Sequence, residues 1–358
     1  MRVAFVIGSL NFSGAEKVLS IVAQELYKNG NEIHVVLLEK EKGTRGNEGG
    51  IITHGARATG NKFKRLASRW RAIRRTIKDI KPDVVVSFGS VCNVNTIVAL
   101  LGVRIPLVVC ERNDPEFDPR KQSEKTIRAI LYPLADGYVF QTERIKQYFS
   151  KRIQKRAVVI PNPIVDSGKR WNIESAEKKI VSMARLDNFQ KDHVSMIKAF
   201  ALFSANHPDY TLELYGEGPC RDNYDKLIER LELQGKALLP GKTSDPIEVL
   251  LSAEIFLLTS VFEGMPNALM EAMSVGVPCI STDCGGGGAF DLVEKYGSGL
   301  LVQCGDVEQI ARTLSELVAN NDLKKALSKE SVAINVNLGR EIISQQWLEY
   351  LETVRKKG

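Results

Sequence analysis

Twelve short apolar segments, separated by patterns typical of amphipathic helices, constrain the fold of this chain more than any other feature. A short continuous apolar run predicts a strand buried on both faces, and strands that alternate with helices predict parallel sheets. The predicted strands of the first half span residues 3–7, 33–38, 83–88, 106–110, 137–141 and 157–160. Those of the second half span 180–184, 211–215, 237–239, 254–259, 277–281 and 299–302. The expected fold class is therefore α/β, with two doubly wound domains.

The length of the chain also favours two domains, because 358 residues exceed what one ordinary hydrophobic core contains. The boundary is expected near residues 162–172, where two prolines and a glycine interrupt regular structure. These residues are Pro161, Pro163 and Gly168. We expect one domain over residues 1–165, a second over 170–338, and a last helix over about 340–358.

Composition excludes several classes of protein. A content of 44% hydrophobic and 26% charged residues is typical of a soluble globular protein. The six cysteines form no Cys-x-x-Cys pair and no cluster with histidine, so neither a disulfide framework nor a zinc site is expected. The apolar run at residues 1–8 is too short for a signal peptide or a spanning helix, which predicts a cytoplasmic protein.

Two glycines bracket the turn after the first predicted strand: Gly8 ends the strand and Gly14 opens the next helix. Their spacing matches neither a P-loop nor the GxGxxG fingerprint. A glycine-hinged turn before a helix amino end can bind an anion or a sugar. A tight turn that merely lets the helix pack on the strand explains the glycines equally well.

Residues 39–61 are polar and rich in glycine, and they show no pattern that predicts a fold. A loop of that length inside a compact domain is usually functional or mobile. We expect His54 within it to be solvated rather than catalytic.

Residues 62–78 carry eight cations and no acid, arranged around an apolar stripe with the spacing of one helix face. The cations are Lys62, Lys64, Arg65, Arg69, Arg71, Arg74, Arg75 and Lys78. An ordinary packed helix explains the stripe but not the absence of acids. Such a helix suits anionic lipid headgroups or a polyanionic substrate. Nucleic acid is not expected, because no aromatic platform or reading motif accompanies the charges.

Polar residues follow the predicted strand 106–110, beginning with Glu111, Arg112, Asn113 and Asp114. The carboxyl ends of strands in doubly wound sheets usually form ligand sites. A salt bridge among Glu111, Arg112 and Asp114 that only fixes the loop is an alternative of equal weight.

Two cations and two glycines follow the first strands of the second half. Arg185 comes directly after strand 180–184, and Lys191 lies at the start of a helix predicted over 192–204. Two cations beside a helix amino end can hold a pyrophosphate. Gly216 and Gly218 follow strand 211–215, and their missing side chains would let a ligand approach closely.

Two carboxylates follow the apolar run 255–258. Glu263 lies on the loop, Glu271 lies one turn into the next helix, and Gly285–Gly288 follow the next strand. A nucleoside diphosphate sugar would use all of them, because Glu271 could accept from both ribose hydroxyls and Glu263 could bind sugar hydroxyls. A helix-capping role for Glu271 and a tight turn at the glycines are alternatives, but each explains only one feature.

At these residues the sequence resembles the family 4 glycosyltransferases, retaining enzymes of the GT-B architecture. The resemblance covers nearly the whole chain. Its motifs are Ala184-Arg-Leu186 with Lys191, Gly216-Glu-Gly218, the pair Glu263 and Glu271, Gly285–Gly288, Asp291-Leu-Val293 and Gly299-Leu-Leu-Val302. It implies two Rossmann-like domains facing each other across a cleft, with the donor mainly on the second domain and the acceptor on the first. The last helix, with Trp347, would cross back onto the first domain.

The resemblance also implies roles for individual residues. Catalysis is expected to depend on Arg185, Lys191 and Glu263. Donor contacts are expected from Gly14, Gly216, Gly218, Gly264, Met265, Pro266, Asn267 and Glu271. The basic helix looks like the helix that contacts membrane and lipid pyrophosphate in relatives that build bacterial surface glycans, and Arg112 and Asn113 are assigned to the acceptor side with it.

Three departures from the family pattern affect these expectations. Lys191 follows Arg185 by six residues rather than the usual five. Arg112 or Asn113 stands where many relatives have a histidine near the donor sugar, so no catalytic histidine is expected. Asp291 replaces the usual glutamate.

The expected activity is hexosyl transfer, with retention, from a nucleotide sugar to a lipid-linked glycan, with UDP as the base by family habit. The acceptor would carry polyprenyl pyrophosphate, and the enzyme would be cytoplasmic and peripheral at the inner face of the cell membrane. No metal and no other cofactor is expected, because the sequence contains no Asp-x-Asp and basic side chains would hold the diphosphate. The alternatives are a nucleotide-sugar epimerase of the same fold and a non-catalytic protein that binds polyanions or membranes.

Overall fold

A computed structural model describes residues 1–10, 14–39, 45–56, 62–296 and 299–356. The chain divides into two compact units, one of Met1–Pro163 with Arg340–Gly358 and one of Ile164–Gly339. Each unit is built on its own mainly parallel sheet with helical crossovers. The predicted α/β class with two doubly wound, Rossmann-like domains is confirmed.

The sheet of the first unit has the order β3-β4-β2-β1-β5-β6-β7-β8, and only β3 is antiparallel to its neighbour. Its strands are β1 Arg2–Ile7, β2 Glu32–Leu37, β3 Arg45–Glu48, β4 Ile51–Gly55, β5 Val84–Phe88, β6 Leu107–Cys110, β7 Gly137–Phe140 and β8 Ala157–Val159. Its helices are α1 Gly14–Lys28, α2 Lys62–Ile80, α3 Ser90–Leu100, α4 Gln122–Leu131, α5 Glu143–Tyr148, α6 Lys151–Gln154 and α15 Arg340–Arg355, with a 3-10 turn at Tyr132–Leu134.

The sheet of the second unit has the order β11-β10-β9-β12-β13-β14, with every neighbouring pair parallel. Its strands are β9 Glu177–Met183, β10 Thr211–Tyr215, β11 Ala237–Gly241, β12 Ala253–Leu258, β13 Cys279–Thr282 and β14 Gly299–Val302. Its helices are α7 His193–Ser204, α8 Arg221–Arg230, α9 Pro246–Ser252, α10 Asn267–Val275, α11 Gly288–Tyr296, α12 Val307–Val318, α13 Asn321–Ser331 and α14 Ile334–Asn337.

Alternate side chains of β1 show how helices cover both faces of the first sheet. Ala4 and Val6 belong to a core cluster that includes Ile73 of α2. The ring of Phe5 meets the ring of Phe88, which in turn stacks on Trp347 of α15 with 5.7 Å between centroids. Because successive side chains of a strand point to opposite faces, α2 and α15 cover opposite faces of this sheet.

The stretch 39–61 is not one long loop where the structure describes it. It contains β3 and β4, and β4 pairs in parallel with β2, while residues 40–44 and 57–61 lie outside the described residues. The expectation of a solvated His54 is wrong. Its ring is half-buried and stacks on His34, with 2.9 Å between His54 Nε2 and His34 Nδ1. Strand β4 has only five residues, and two of them are Thr53 and His54. It therefore lacks the continuous apolar run from which a buried strand is predicted.

The order of the second sheet reverses between β9 and β12, which are adjacent in the sheet although β10 and β11 separate them in the chain. Loops that follow two such strands diverge to opposite faces and leave a crevice at the carboxyl edge, where open α/β sheets bind their ligands. The loops after β9 and β12 contain Arg185, Lys191 and Glu263. The strand order therefore places these predicted site residues at the switch point of one sheet.

Candidate functional site

Three hydrogen bonds hold the loop after β9 against the loop after β12. The hydroxyl of Thr259 donates to the carbonyls of Lys191 and Asp192, at 3.0 and 3.1 Å. The amide of Val261 donates to the carbonyl of Gln190 at 2.8 Å. Since these bonds fix the backbone on both sides of Lys191, the position of its side chain is determined before any ligand binds.

The ammonium of Lys191 forms an ion pair with the carboxylate of Glu263. Ser260 Oγ donates to the same carboxylate at 2.8 Å, and Gln190 Nε2 donates to its other oxygen at 3.2 Å. The side chains of Lys191 and Glu263 are only 18% and 10% exposed, so the pair is strongly shielded from water. Sequence reasoning assigned the two residues separate tasks, on a diphosphate and on sugar hydroxyls, and did not predict that they contact each other.

Ser260 and Gln190 were not predicted as site residues. Each lies beside a residue that was: Gln190 precedes Lys191, and Ser260 begins the turn that ends in Glu263. Their position in the loops that follow two strands at the switch point was the available signal.

Arg185 differs from Lys191 in its surroundings. It lies directly beyond β9, its side chain is exposed, and it forms no ion pair or hydrogen bond with another side chain in the part of the chain that the structure describes. The site therefore contains one cation held by a carboxylate and one cation that is free to meet an anionic ligand.

His193, the first residue of α7, does not add to this positive charge. Burial, together with the nearby Lys191 ammonium, lowers the pKa of His193 to about 4. Its imidazole is therefore neutral at physiological pH. The groups that favour an anion here are the two cations and the positive end of the α7 dipole, which is partly offset by the Asp192 carboxylate that accepts from the amide of Ser195 at 3.3 Å.

Gly216 and Gly218 pack closely against the loop that follows β9. A Cβ at Gly216 would overlap the carbonyl oxygen of Ala184, and a Cβ at Gly218 would overlap that of Leu186. The amide of Leu186 donates to the carbonyl of Glu217 at 3.1 Å. The missing side chains therefore make room for the backbone of the loop that carries Arg185. This packing alone explains both glycines, and the predicted close approach of a ligand is not needed to account for them.

The glycines after β13 pack against the loop after β12. The amide of Glu263 donates to the carbonyl of Gly285 at 3.0 Å, and the amide of Gly285 donates to Val261 at 3.1 Å. A Cβ at Gly288 would overlap the carbonyl oxygen of Gly264. The Gly285 amide is therefore already bonded within the protein, and these glycines fix the position of Glu263; the approach of the Gly285–Gly288 amides to a phosphate or a sugar stays a prediction.

Helix α10 begins at Asn267, directly after the buried residues Gly264, Met265 and Pro266. Glu271 is half-buried in the second turn of this helix. Pro266 occupies the N-cap position, and its side chain makes no capping hydrogen bond. Glu271 thus lies beyond the first turn, where capping carboxylates are usually found, so its position does not support the capping alternative.

Helix α2 of the first unit uses some of its cations for packing. Arg74 donates to the carbonyls of Ala99 and Leu101 at 3.1 and 2.8 Å and so satisfies the carboxyl end of α3. Arg75 lies 3.9 Å from Asp79. Four cations of the helix are exposed: Arg65, Arg71, Arg75 and Lys78. Arg69 is half-buried, and the side chains of Lys62 and Lys64 are not among those that the structure describes. Arg74 therefore has a packing role through Nη1, and its predicted contact with an acceptor or membrane stays a prediction.

The polar residues after β6 do not form the salt bridge considered above. The Glu111 carboxylate accepts a hydrogen bond from the Tyr132 hydroxyl and lies 3.9 Å from Arg128, and burial raises the pKa of Glu111 to about 7. Arg112 donates from Nη2 to Asn162 at 2.5 Å. The half-buried Asn113 accepts from the amide of Asp114 at 3.0 Å. Glu111 and Arg112 therefore have separate partners.

Gly14 is the first residue of helix α1 in the same unit, as predicted.

Two family models match the chain and together span most of it. The model described as Glycosyltransferase Family 4 matches residues 12–167, and the model described as Glycosyl transferases group 1 matches residues 166–332. The chain belongs to the family 4 glycosyltransferases. The site at the β9–β12 switch point lies within the second matched region.

This glycosyltransferase is similar over its whole length to a protein of Campylobacter jejuni named GalNAc-alpha-(1->4)-GalNAc-alpha-(1->3)-diNAcBac-PP-undecaprenol alpha-1,4-N-acetyl-D-galactosaminyltransferase. The two are 26% identical over 363 residues, which cover 99% of each chain. The N-acetylgalactosamine-N,N'-diacetylbacillosaminyl-diphospho-undecaprenol 4-alpha-N-acetylgalactosaminyltransferase of the same organism is 28% identical over 70% of this chain and 71% of its own.

Solved structures share the fold of this glycosyltransferase. The crystal structure of Anabaena Alr3699/HepE in complex with UDP-glucose superposes with a TM-score of 0.83 at 19% identity, covering 99% of this chain and 100% of that one. Sucrose-phosphate synthase from Thermosynechococcus elongatus superposes with a TM-score of 0.85 at 14% identity, covering all of both chains. At these identities the likeness shows the GT-B fold alone.

Proposed function

We propose that this glycosyltransferase moves a hexosyl group, with retention of configuration, from a nucleotide sugar to a lipid-linked glycan in the assembly of a bacterial surface glycan. The observation that carries the proposal is the Lys191–Glu263 pair beside the exposed Arg185 at the switch point of the second sheet. Cations held at a strand edge beside a helix amino end suit a diphosphate, and a carboxylate suits sugar hydroxyls. The second unit would therefore bind the donor.

The residues of this site would act mainly by stabilising the leaving diphosphate. Arg185, Lys191 and the amino end of α7 place positive charge where negative charge develops as the glycosidic bond breaks, which is usually the largest contribution to catalysis. Glu263 would hold Lys191 in place and accept from a sugar hydroxyl, and Glu271 would accept from the ribose. Because these cations serve the diphosphate, the proposed reaction uses no metal ion.

UDP is the base we propose for the donor. Crystal structures of Anabaena Alr3699/HepE contain UDP, UDP with glucose, and UDP-glucose, and that protein has the same fold. The names of the two Campylobacter relatives contain undecaprenol linked to a glycan through diphosphate. These names support a polyprenyl pyrophosphate glycan as the acceptor class of this chain.

A nucleotide panel tests the proposed donor. A UDP-sugar at 100 times its dissociation constant should stabilise the protein by about 2.7 kcal/mol, and thermal unfolding should detect this as a rise in Tm. Glu271→Ala should lose the rise, whereas Glu316→Ala, which alters an exposed glutamate on α12, should keep it. Failure of every nucleotide and nucleotide sugar to raise the Tm of the unaltered chain would favour a protein that binds polyanions or membranes instead.

Product analysis separates transfer from epimerisation. Transfer to a lipid-linked acceptor should increase the acceptor mass by one hexosyl residue and release the nucleoside diphosphate. An epimerase would convert the nucleotide sugar without acceptor. Mass spectrometry of the acceptor, with the donor varied, would also identify the sugar, and a product of unchanged mass would contradict the transferase proposal.

The exposed cations of α2 support the proposal that the protein is attached peripherally to the inner face of the cell membrane. No helix in the described ranges is both long enough and apolar enough to span a bilayer. Basic residues near an anionic surface contribute about 1 kcal/mol each. Changing Arg65, Arg71, Arg75 and Lys78 to glutamine should therefore weaken binding to vesicles that contain phosphatidylglycerol by on the order of a hundredfold or more in a sedimentation assay.

The matched control removes the same charge from the second unit. Lys198, Lys226, Lys325 and Lys329 are exposed there, and their change to glutamine should leave vesicle binding nearly unaltered. Equal losses in both variants would mean that net charge rather than helix α2 determines binding, and no loss in either would show that α2 is an ordinary solvated surface.

A further inference from the structure

The guanidinium of Arg112 is a charged group without a counter-ion. It lies directly beyond β6 in the first unit, and its Nε and Nη1 atoms are buried without a hydrogen-bond partner. No carboxylate in the described part of the chain forms an ion pair with it. The neighbouring Glu111 is engaged with Tyr132 and Arg128. Buried donor atoms of a cation are usually paired, so these two require an explanation other than packing.

The polar atoms around Arg112 are also incompletely satisfied. The Oδ1 atom of Asn162 accepts from Arg112 Nη2 at 2.5 Å and from Gln141 Nε2 at 2.6 Å. The Oε1 atom of Gln141 is buried without a hydrogen-bond partner. Two donors and one acceptor are thus left unpaired around a single shared amide oxygen, although buried polar atoms in proteins are nearly always bonded.

The guanidinium is held in a fixed plane. Its central carbon lies 5.1 Å from the centroid of the Phe88 ring, and Phe88 stacks on the fully buried Trp347. One edge is fixed by Asn162 and one face by Phe88. Such an arrangement leaves the remaining N–H groups oriented before a ligand arrives, which reduces the entropy lost on binding.

Arg112 keeps its charge under physiological conditions. Burial lowers its pKa to about 10, which still leaves the guanidinium protonated at neutral pH. A charged, planar and partly unpaired guanidinium matches an oxyanion better than it matches a neutral hydroxyl.

We propose that Arg112 binds an oxyanion of the acceptor, a phosphate or a carboxylate, on the first unit. This inference rests on the proposed function, because a lipid-linked glycan has two possible sources of such a group: its pyrophosphate and an acidic sugar. Gln141 and Asn162 position the guanidinium, and the unpaired Gln141 oxygen can accept from a hydroxyl or a protonated oxygen beside the anion.

Calorimetric titration of the full chain with sodium pyrophosphate and with sodium glucuronate separates these sources. Each titration is made at saturating UDP, which fills the proposed donor site, and at constant ionic strength. We expect Arg112→Gln to raise the dissociation constant for one of the two anions at least tenfold, a change of about 1.4 kcal/mol. Arg112→Lys should give an intermediate value, because lysine keeps the charge without the planar fork.

Arg152→Gln, which removes an exposed arginine from α6 of the same unit, is the matched control and should leave both dissociation constants within twofold. Unchanged anion binding in Arg112→Gln would overturn the proposal, as would an equal loss in the Arg152 control. A fall in UDP affinity in Arg112→Gln would also count against it, since that would indicate a general structural role. If UDP fails to bind the unaltered chain, the donor proposal fails, and the comparison of anions between variants still tests Arg112.

Discussion

Lys191→Ala should lower kcat for sugar transfer by about 10²–10³-fold, corresponding to about 3–4 kcal/mol of lost transition-state stabilisation. The reason is the position of the ammonium, which the Glu263 carboxylate and two hydrogen bonds from Thr259 to the adjoining backbone fix at the switch point. A preorganised cation stabilises charge that develops during the reaction more than charge already present in the bound donor. We therefore expect a larger effect on kcat than on KM, measured with radiolabelled donor and a lipid-linked acceptor.

Lys198→Ala is the control for this variant, because Lys198 lies on α7 close in sequence and is exposed. It should transfer at the unaltered rate. The Tm of Lys191→Ala should also fall, because the shielded Glu263 carboxylate loses its counter-ion and keeps only the hydrogen bonds from Ser260 and Gln190, so rates are compared at a temperature where both variants are folded. A Lys191→Ala enzyme that retains more than a third of the unaltered kcat would remove Lys191 from the catalytic assignment.

The fold was predictable because both sheets are mainly parallel. Strands buried on both faces read as continuous apolar runs, and the predicted run 211–215 coincides with β10. The same rule fails for β3 and β4 at the edge of the first sheet. There His54 and Thr53 are stabilised by pairing with β2, a long-range contact that a local pattern does not contain.

The candidate site was predictable in its residues but not in its contacts. Arg185, Lys191 and Glu263 follow strands, and their positions alone indicated a site. The pairing of Lys191 with Glu263 joins residues 72 positions apart, and it depends on the order of strands in the sheet. From the chemistry of the side chains alone, Lys191 and Glu263 were expected to contact different parts of a ligand. In the structure they form an ion pair with each other.

The glycines show a second limit of prediction from sequence, because the type of a residue does not tell what packs against it. A glycine after a strand can admit a ligand or a neighbouring backbone, and the sequence does not distinguish the two. At Gly216, Gly218 and Gly288 the neighbour is backbone of an adjacent loop. These positions therefore help to determine where Arg185 and Glu263 lie.

Gly216→Ala tests this role and should be strongly destabilising. The residue has φ +143°, a region that side chains rarely adopt, and the new Cβ would overlap the backbone carbonyl of Ala184. Backbone strain of about 1–3 kcal/mol and a similar cost of overpacking together predict a loss of about 2–6 kcal/mol. For a unit of this size each kcal/mol lowers the Tm by roughly 2–4 °C, so a fall on the order of 10 °C is expected by calorimetry.

Gly235→Ala separates the two contributions, because Gly235 also has a positive φ, +76°, but a methyl group added there would meet no atom within 4 Å. Its loss should therefore be limited to backbone strain, about 1–3 kcal/mol. Gly216→Ala should in addition weaken UDP binding at temperatures where it remains folded, since the loop from Ala184 to Leu186 must move and carries Arg185 with it. Equal stability losses in the two variants, with unaltered UDP affinity in both, would show that Gly216 is needed only for its backbone conformation and that the loop tolerates the methyl group.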